Sequence, residues 1–140
     1  MIHAERFAYR QISDGFGGIN FFPYLPLTLS YRNHSIETSG LLDTGASVNV
    51  MPYQIGLQLG ARWEQQNTSV QLAGNLANLP AYGLLITASV AQFPPVRLAF
   101  AWTRAENVPL ILGQVNFFIE FDVCFFRTQK SFEIHPKQDI

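Results

Sequence analysis

Leu41-Leu42-Asp43-Thr44-Gly45-Ala46-Ser47, continued by Val48-Asn49-Val50-Met51, places an ionisable carboxylate directly behind an apolar pair, followed by a hydroxyl and a glycine. Burying a carboxylate is costly unless it is hydrogen-bonded or neutralised, so Asp43 requires a particular environment. The backbone N–H groups of Gly45 and Ala46 and the hydroxyls of Thr44 and Ser47 are the nearest groups able to supply one. Asp, Thr and Gly are also common turn formers, and the tripeptide alone is equally compatible with a plain turn.

Outward from this stretch the signals are those of strands. In Tyr24 to Tyr31, Leu25, Leu27, Leu29 and Tyr31 alternate with Thr28 and Ser30, a period of two that puts the leucines on one sheet face. Pro23 and Pro26 assign the beginning of that strand to an edge. Arg32, Asn33 and His34 form a polar turn, and Ser35 to Leu42 is the returning strand that delivers Asp43. Past Met51, Pro52 opens a short helix over Tyr53 to Leu59, closed by Gly60. Further strands are predicted at Ser69–Leu72, Tyr82–Val90 and Arg97–Thr103, and a second short helix around Gln114–Phe118. Phe121–Phe126 and Ser131–His135 form a last hairpin around the polar turn Arg127–Lys130. Short strands punctuated by Gly and Pro make a closed or sandwich-like all-β fold. Residues 1–20 are an N-terminal segment whose glycines, Gly15, Gly17 and Gly18, are expected to prevent regular structure. Residues 21–140 form a single domain.

Composition bounds the function. The chain has 140 residues and 9 Lys plus Arg against 10 Asp plus Glu, without a basic run, which argues against nucleic-acid binding. No apolar stretch approaches the roughly 18 residues of a membrane span, and the first ten residues lack a signal-peptide pattern. The single Cys124 cannot form an intrachain disulfide, and the 3 His (His3, His34, His135) are scattered, so no metal-ligand spacing exists. A reduced, cytoplasmic protein without metal is the expectation. Charged residues make up 14% of the chain, well below the usual quarter, while Phe occurs 12 times. That excess of apolar over charged surface predicts a second buried surface, a subunit interface or a ligand cleft.

A second segment, Val108-Pro109-Leu110-Ile111-Leu112-Gly113, is an apolar strand ending in glycine. In order, Leu41-Leu42-Asp43-Thr44-Gly45 and Ile111-Leu112-Gly113 resemble the retroviral-type (retropepsin-like) aspartic proteases. There a hydrophobic pair followed by Asp-Thr-Gly is completed later by a hydrophobic-hydrophobic-Gly segment and a short helix. The Leu25–Leu42 hairpin is similar to the one that delivers the family's catalytic Asp, and the likeness runs from Leu25 to the final hairpin. The tail, with Phe117, Phe118, Phe121, Asp122 and Phe132, looks especially like bacterial and cyanobacterial single-domain members. The resemblance implies an all-β, retropepsin-like (acid protease) closed β-barrel-like fold with one or two short helices.

It also implies chemistry. Two aspartates a few ångströms apart share one proton and titrate as a pair, one serving as general base on a water and the other as acid toward the scissile amide. Of the four aspartates, Asp14, Asp43, Asp122 and Asp139, Asp43 alone lies in the motif, so the second must come from another chain and the protein is expected to be a homodimer. By resemblance, Thr44 bonds across the two-fold axis, Gly45 lets substrate backbone approach, Ala46 and Ser47 border the site, and Ile111, Leu112 and Gly113 buttress it. The partners are therefore a second copy and a peptide or protein substrate, with no cofactor, nucleic acid or membrane. Activity is expected to peak at mildly acidic pH. Viral members carry a carboxylate two residues past the motif glycine and an Arg after Ile-Leu-Gly, paired near the dimer interface. Here Ser47 and Gln114 replace both, so no charge is orphaned, but the mode of dimerisation is left open. The turn Ala73–Asn78, with Gly74, Asn75 and Leu76, is the candidate flap, or else an ordinary hairpin loop.

The remaining features read as structural. Asp122 belongs on the exposed face of the last hairpin by alternation, Cys124 is a small core or sheet residue, and Trp63, Trp102 and Tyr82 are packing residues. The three histidines are expected in solvent. The alternative to a protease is a peptide-binding or dimerisation module that keeps the motif with little proteolysis.

Overall fold

The computed structural model describes residues 2–138. Its centre is a six-stranded closed barrel in which β4 (Tyr24–Tyr31), β5 (His34–Leu42), β9 (Ile111–Leu112), β6 (Asn49–Met51), β8 (Val96–Thr103) and β7 (Ala81–Ser89) follow one another around the wall. The long hairpins are antiparallel, β4 with β5 from Tyr24↔Leu41 to Tyr31↔His34 and β7 with β8 from Ala81↔Thr103 to Ala88↔Val96. Two parallel contacts close the wall, β5 with β9 and β6 with β8. The alternation in β4 is reproduced: Leu25, Leu27 and Leu29 are buried with their side chains on the barrel core. Pro26 lies in the half of β4 that pairs on one side only, because β7 joins it at Thr28–Ser30. A missing N–H is tolerated there.

A second sheet packs beneath the barrel, with β1 (Glu5–Ala8), β11 (Ser131–Pro136) and β10 (Phe121–Phe126) in the order β1-β11-β10. Its inner face carries Phe121, Phe132 and Ile134 into the core, where Phe121 stacks on Phe117 with ring centroids 4.9 Å apart. Aromatic contacts of this kind add to the burial of the rings themselves. The N-terminal glycines do not prevent regular structure. β2 (Arg10–Ser13) and β3 (Ile19–Phe22) form a hairpin whose turn is closed by the Asp14 carboxylate, which accepts the N–H groups of Phe16 and Gly18 at 2.7 and 2.9 Å. Gly15 and Gly17 supply the positive φ that this turn needs.

Other expectations shift as well. Ser69–Leu72 is reduced to isolated pairing with β7, through Val70 N–H to Ala81 O (2.9 Å) and Gly83 N–H to Thr68 O (2.8 Å). The second helix, α2, runs over Phe117–Glu120 rather than starting at Gln114. Gln114 and Val115 donate their N–H groups to Ala46 and Ser47, so helical turns begin only after that pairing ends. Of the two places expected for Cys124, core or sheet, it takes the sheet: it is an exposed residue of β10, on the same outer face as Asp122. His135 is half-buried, with Nε2 2.9 Å from the Ile2 carbonyl.

Helix α1 (Tyr53–Gln58) begins after Pro52, ends one residue short of the predicted Leu59, and is closed by Gly60 with its positive φ. It lies on Trp102, whose buried indole N–H bonds the Tyr53 carbonyl at 3.1 Å. Trp63 and Tyr82 join this cluster edge-on, with centroids 4.8 Å apart. Gly56 is where helix and ring touch: a Cβ there would sit 2.2 Å from the Trp102 ring. Ala is normally the better helix residue by about 1 kcal/mol. Gly56→Ala is nevertheless expected to destabilise the fold by about 1–3 kcal/mol through overpacking, seen as a lower urea midpoint. A raised midpoint would contradict the packing described here.

Candidate active site

Asp43 is the first residue past β5, and the pairing of β5 fixes where it stands. Leu41 N–H donates to Leu110 O (2.8 Å), Leu42 N–H to Pro23 O (3.0 Å) and Asp43 N–H to Leu112 O (3.0 Å). The chain then turns sharply. Ala46 N–H returns to the Asp43 carbonyl at 3.1 Å, and Gly45 N–H donates to Asp43 Oδ1 at 3.0 Å. The half-buried carboxylate thus receives one of the backbone donors anticipated from sequence, that of Gly45. Ala46 N–H bonds the backbone instead, and among the described residues neither the Thr44 nor the Ser47 hydroxyl bonds the carboxylate. Thr44, Gly45 and Ser47 are exposed at the tip of the loop.

A second loop crosses beneath the first. Gln114 N–H donates to Ala46 O, Val115 N–H to Ser47 O and Asn49 N–H to Val115 O, at 2.9, 2.9 and 3.0 Å. The Gln114 side-chain amide adds a bond to the Thr44 carbonyl at 2.9 Å. At the crossing Gly113 is indispensable, since a Cβ there would lie 2.5 Å from the Val48 carbonyl oxygen and 2.8 Å from that of Ala46. Ile111 and Leu112 pair with Leu41 and Leu42, and Ile111 also with Val50. The two segments joined by the sequence reading are therefore neighbours, and Ile111, Leu112 and Gly113 form the floor under the Asp43 loop.

One residue central to this arrangement escaped the motif. Asn49 is fully buried, and its side chain accepts the Gly113 N–H at 2.8 Å and donates to Ala99 O (3.0 Å) and Asn116 Oδ1 (3.2 Å). Asn116 in turn bonds Ala99 N–H (2.9 Å) and Arg97 O (3.0 Å). A lone amide inside the apolar run Val48–Met51 was the available signal, because a buried amide has to be satisfied.

Two concavities flank the loop. One, of about 300 Å³, is lined by Gly45, Ala46, Ser47, Val48, Val50 and Ile111 on the Asp43 side and by Leu72, Ala73, Gly74 and Leu76 opposite. Gly74 and Leu76 thus reach the site, whereas Asn75 does not line it. The segment forms a 3-10 turn, Gly74–Leu76, with Leu76 packed against Val50, Leu72, Ala81 and Ala101 rather than a long hairpin. The other, of about 440 Å³, is bounded by Leu42, Asp43 and Thr44 together with Tyr9, Phe22, Phe125 and Arg127. Of the remaining aspartates, Asp14 closes its turn, Asp122 is exposed on β10 and Asp139 lies outside the described residues. Among the described residues no group of three or more His, Cys, Asp or Glu is placed to hold a metal, and no helix is long and apolar enough to cross a membrane.

No protein-family model matches the chain, and no curated protein matches it by sequence. Among solved structures, a retropepsin-like aspartic protease from Rickettsia conorii aligns with a TM-score of 0.63 at 11% identity, over 95% of this chain and 99% of that one. The EIAV protease complexed with the inhibitor HBY-793 aligns with a TM-score of 0.47 at 17% identity, over 74% of this chain and 88% of that one. The first alignment shows that the chain has a retropepsin-like fold.

Asn49→Leu is expected to leave the Gly113 N–H without its partner and to destabilise the protein on the order of 2–4 kcal/mol. Equilibrium urea unfolding checks this, and an unchanged midpoint would remove Asn49 from the role assigned to it.

Proposed function

We propose that the chain is an aspartic endopeptidase, active as a homodimer, that hydrolyses peptide bonds without a cofactor. The observation that carries this reading is the seat of Asp43. On a retropepsin-like fold, its carboxylate stands at the end of a barrel strand, held by the Gly45 N–H, beside an exposed Thr44 and lining a concavity of about 440 Å³. A single carboxylate performs only half of the chemistry. Two copies of Asp43 facing each other across a two-fold axis share one proton, because two charges at that distance repel.

In the reaction the ionised carboxylate accepts a proton from a water molecule as the water oxygen attacks the scissile carbonyl carbon. The protonated carboxylic acid meanwhile donates its proton to the carbonyl oxygen, giving a neutral tetrahedral diol. In the collapse of the diol the protonated carboxyl gives its proton to the leaving nitrogen as the C–N bond breaks, while the ionised carboxylate takes a proton from a diol hydroxyl, so a carboxylic acid and an amine leave and the pair is again singly protonated. Thr44 bonds across the axis and keeps the two loops in register. Gly45 admits the substrate backbone, Ala46 and Ser47 border it, and Ile111, Leu112 and Gly113 hold the floor. Gly74 and Leu76 close the cleft from the opposite side. Substrate lies extended, adding strand-like hydrogen bonds, with apolar side chains in a cleft poor in charge. The composition, with its one cysteine, supports a cytoplasmic setting.

One observation favours a second reading, a module that holds an extended segment and cleaves it little: the segment opposite Asp43 is a short turn where a mobile hairpin would cover substrate. Hydrolysis of a mixed peptide library decides between them. Asp43→Asn is expected to lower the cleavage rate by about 10²–10⁴-fold with the fold intact. Equal rates in parent and variant would overturn the assignment, and peptide binding without turnover by either would favour the module.

The pH dependence follows from the shared proton. Protonating both carboxylates removes the base, and ionising both removes the acid, so kcat/KM is expected to trace a bell with its maximum on the acidic side of neutrality. A peptide-like aspartic protease inhibitor should abolish the activity, and indifference to it would count against this mechanism.

A further inference from the structure

The two concavities beside the Asp43 loop differ in charge. The one of about 300 Å³ between Ala46 and Leu76 is lined by no charged residue. The one of about 440 Å³ that holds Asp43 is also lined by Arg127. It runs on into a further concavity of about 290 Å³, which shares Tyr9, Phe22, Pro23 and Arg127 with it and has Lys130 in its wall. The groove formed by these two thus carries the Asp43 carboxylate at one end, Lys130 at the other and Arg127 where they join. Among the described residues the Arg127 guanidinium makes no ion pair, hydrogen bond or ring contact, and it does not pair with Asp43 across the groove. The turn beneath it is nevertheless anchored. Arg127–Gln129 is a 3-10 turn ended by Lys130 at φ 52°, whose carbonyl accepts the Tyr9 N–H at 2.8 Å. Arg6 bonds both Gln129 Oε1 and Ser131 Oγ, and the Lys130 ammonium rests 4.1 Å from the centroid of the Phe21 ring. A guanidinium on a fixed turn with its donors unspent matches the geometry of a carboxylate, which it binds through two parallel N–H···O bonds.

We infer that Arg127 selects the substrate: the peptide carries an Asp or Glu within three residues of the scissile bond, and that side-chain carboxylate seats on the Arg127 guanidinium. An extended peptide rises about 3.3 Å per residue, so three residues span about 10 Å, the scale of the concavity that Asp43 and Arg127 share. A second copy supplies no counter-ion at this place, because the Thr44–Ser47 loop that the proposed dimer brings beside Asp43 is uncharged. The acid that pairs with Arg127 therefore comes with the substrate. Lys130 continues the positive potential along the groove and draws an acidic segment toward it. The uncharged concavity on the other side of the loop takes apolar side chains, so the two sides of Asp43 read different residues. The inference rests on the peptidase reading above and names its substrate class.

Matched peptides test it, each acetylated and amidated so that the only carboxylates are side chains. All share an apolar pair at the centre and differ in having Glu or Gln at one of the three positions on either side. In low salt at about pH 6, where the Glu side chain is ionised, the best Glu peptide is expected to show a kcat/KM about tenfold above its Gln counterpart. Arg127→Gln is expected to bring that ratio to about one, Arg127→Lys to keep part of it, and Arg127→Glu to reverse it in favour of a Lys peptide. Arg62→Gln, which removes the same charge from an exposed pair elsewhere, should keep the ratio within twofold. The preference should fade below about pH 4, as the peptide carboxylate takes up its proton, and shrink in about 0.5 M salt. Equal cleavage of Glu and Gln peptides at every position, or a preference that survives Arg127→Gln, would overturn the inference and leave the peptidase reading standing. An Arg127→Gln chain that loses both activities alike and dimerises more weakly by sedimentation would assign Arg127 to the subunit contact instead. If no peptide is cleaved, the peptidase reading falls and binding decides the site by fluorescence anisotropy. Tighter binding of a Glu than of a Gln peptide, lost in Arg127→Gln, keeps it, and equal binding overturns it.

Discussion

The side chain of Asn49 ties the Gly113 turn to strand β8, directly at Ala99 and, through Asn116, at Arg97. Everything near the candidate site hangs on that junction. Gly113 can approach the Ala46 and Val48 carbonyls only because it has no Cβ, and its N–H, pointed away from the barrel ladder, finds its acceptor in Asn49. A buried amide with every bond made specifies one geometry, whereas an aliphatic residue of similar size would tolerate several. The Asp43 loop and the Gln114 loop therefore cross at a fixed height, and the carboxylate inherits that position.

Much of this was legible in the sequence because local periodicity and the tertiary environment agree. The leucines of β4 alternate, the β4–β5 turn is polar, and Asp-Thr-Gly follows an apolar strand, so hairpin and loop could be read directly. The Val108–Gly113 segment was legible as an apolar strand ending in glycine, but its extent was not, since β9 keeps only Ile111 and Leu112 and is defined by pairing with distant β5 and β6. The start of α2 was misread for a related reason: helix-compatible residues at Gln114 and Val115 are drawn into long-range backbone bonds that no local propensity reports. For Cys124 the expectation left core and sheet open. Alternation from Phe121 puts it on the outer face beside Asp122, and the average burial of free cysteines was the weaker guide.

The shortage of charge now has locations. Five of the 12 phenylalanines, Phe93, Phe100, Phe117, Phe121 and Phe132, are buried in the core, which accounts for a good part of the apolar content. Phe22 and Phe125 are not, and both border the concavity beside Asp43 and Thr44. Phe16, 95% exposed at the tip of the β2–β3 hairpin, belongs to neither group, and nothing in the structure explains it.

The uncharged Ser47 and Gln114 where the two loops cross also have a physical sense. The loop crossing needs a side-chain donor directed at the Asp43 loop, and the Gln114 amide supplies one to the Thr44 carbonyl at 2.9 Å. A guanidinium in that place would require a carboxylate to neutralise it wherever a second surface excluded water, and the desolvation of such a pair largely cancels its attraction. An amide bonded to a backbone carbonyl has no such requirement. It ties the loop in the free chain and stays satisfied when another surface covers it, so the loop that carries Asp43 is set before any partner arrives.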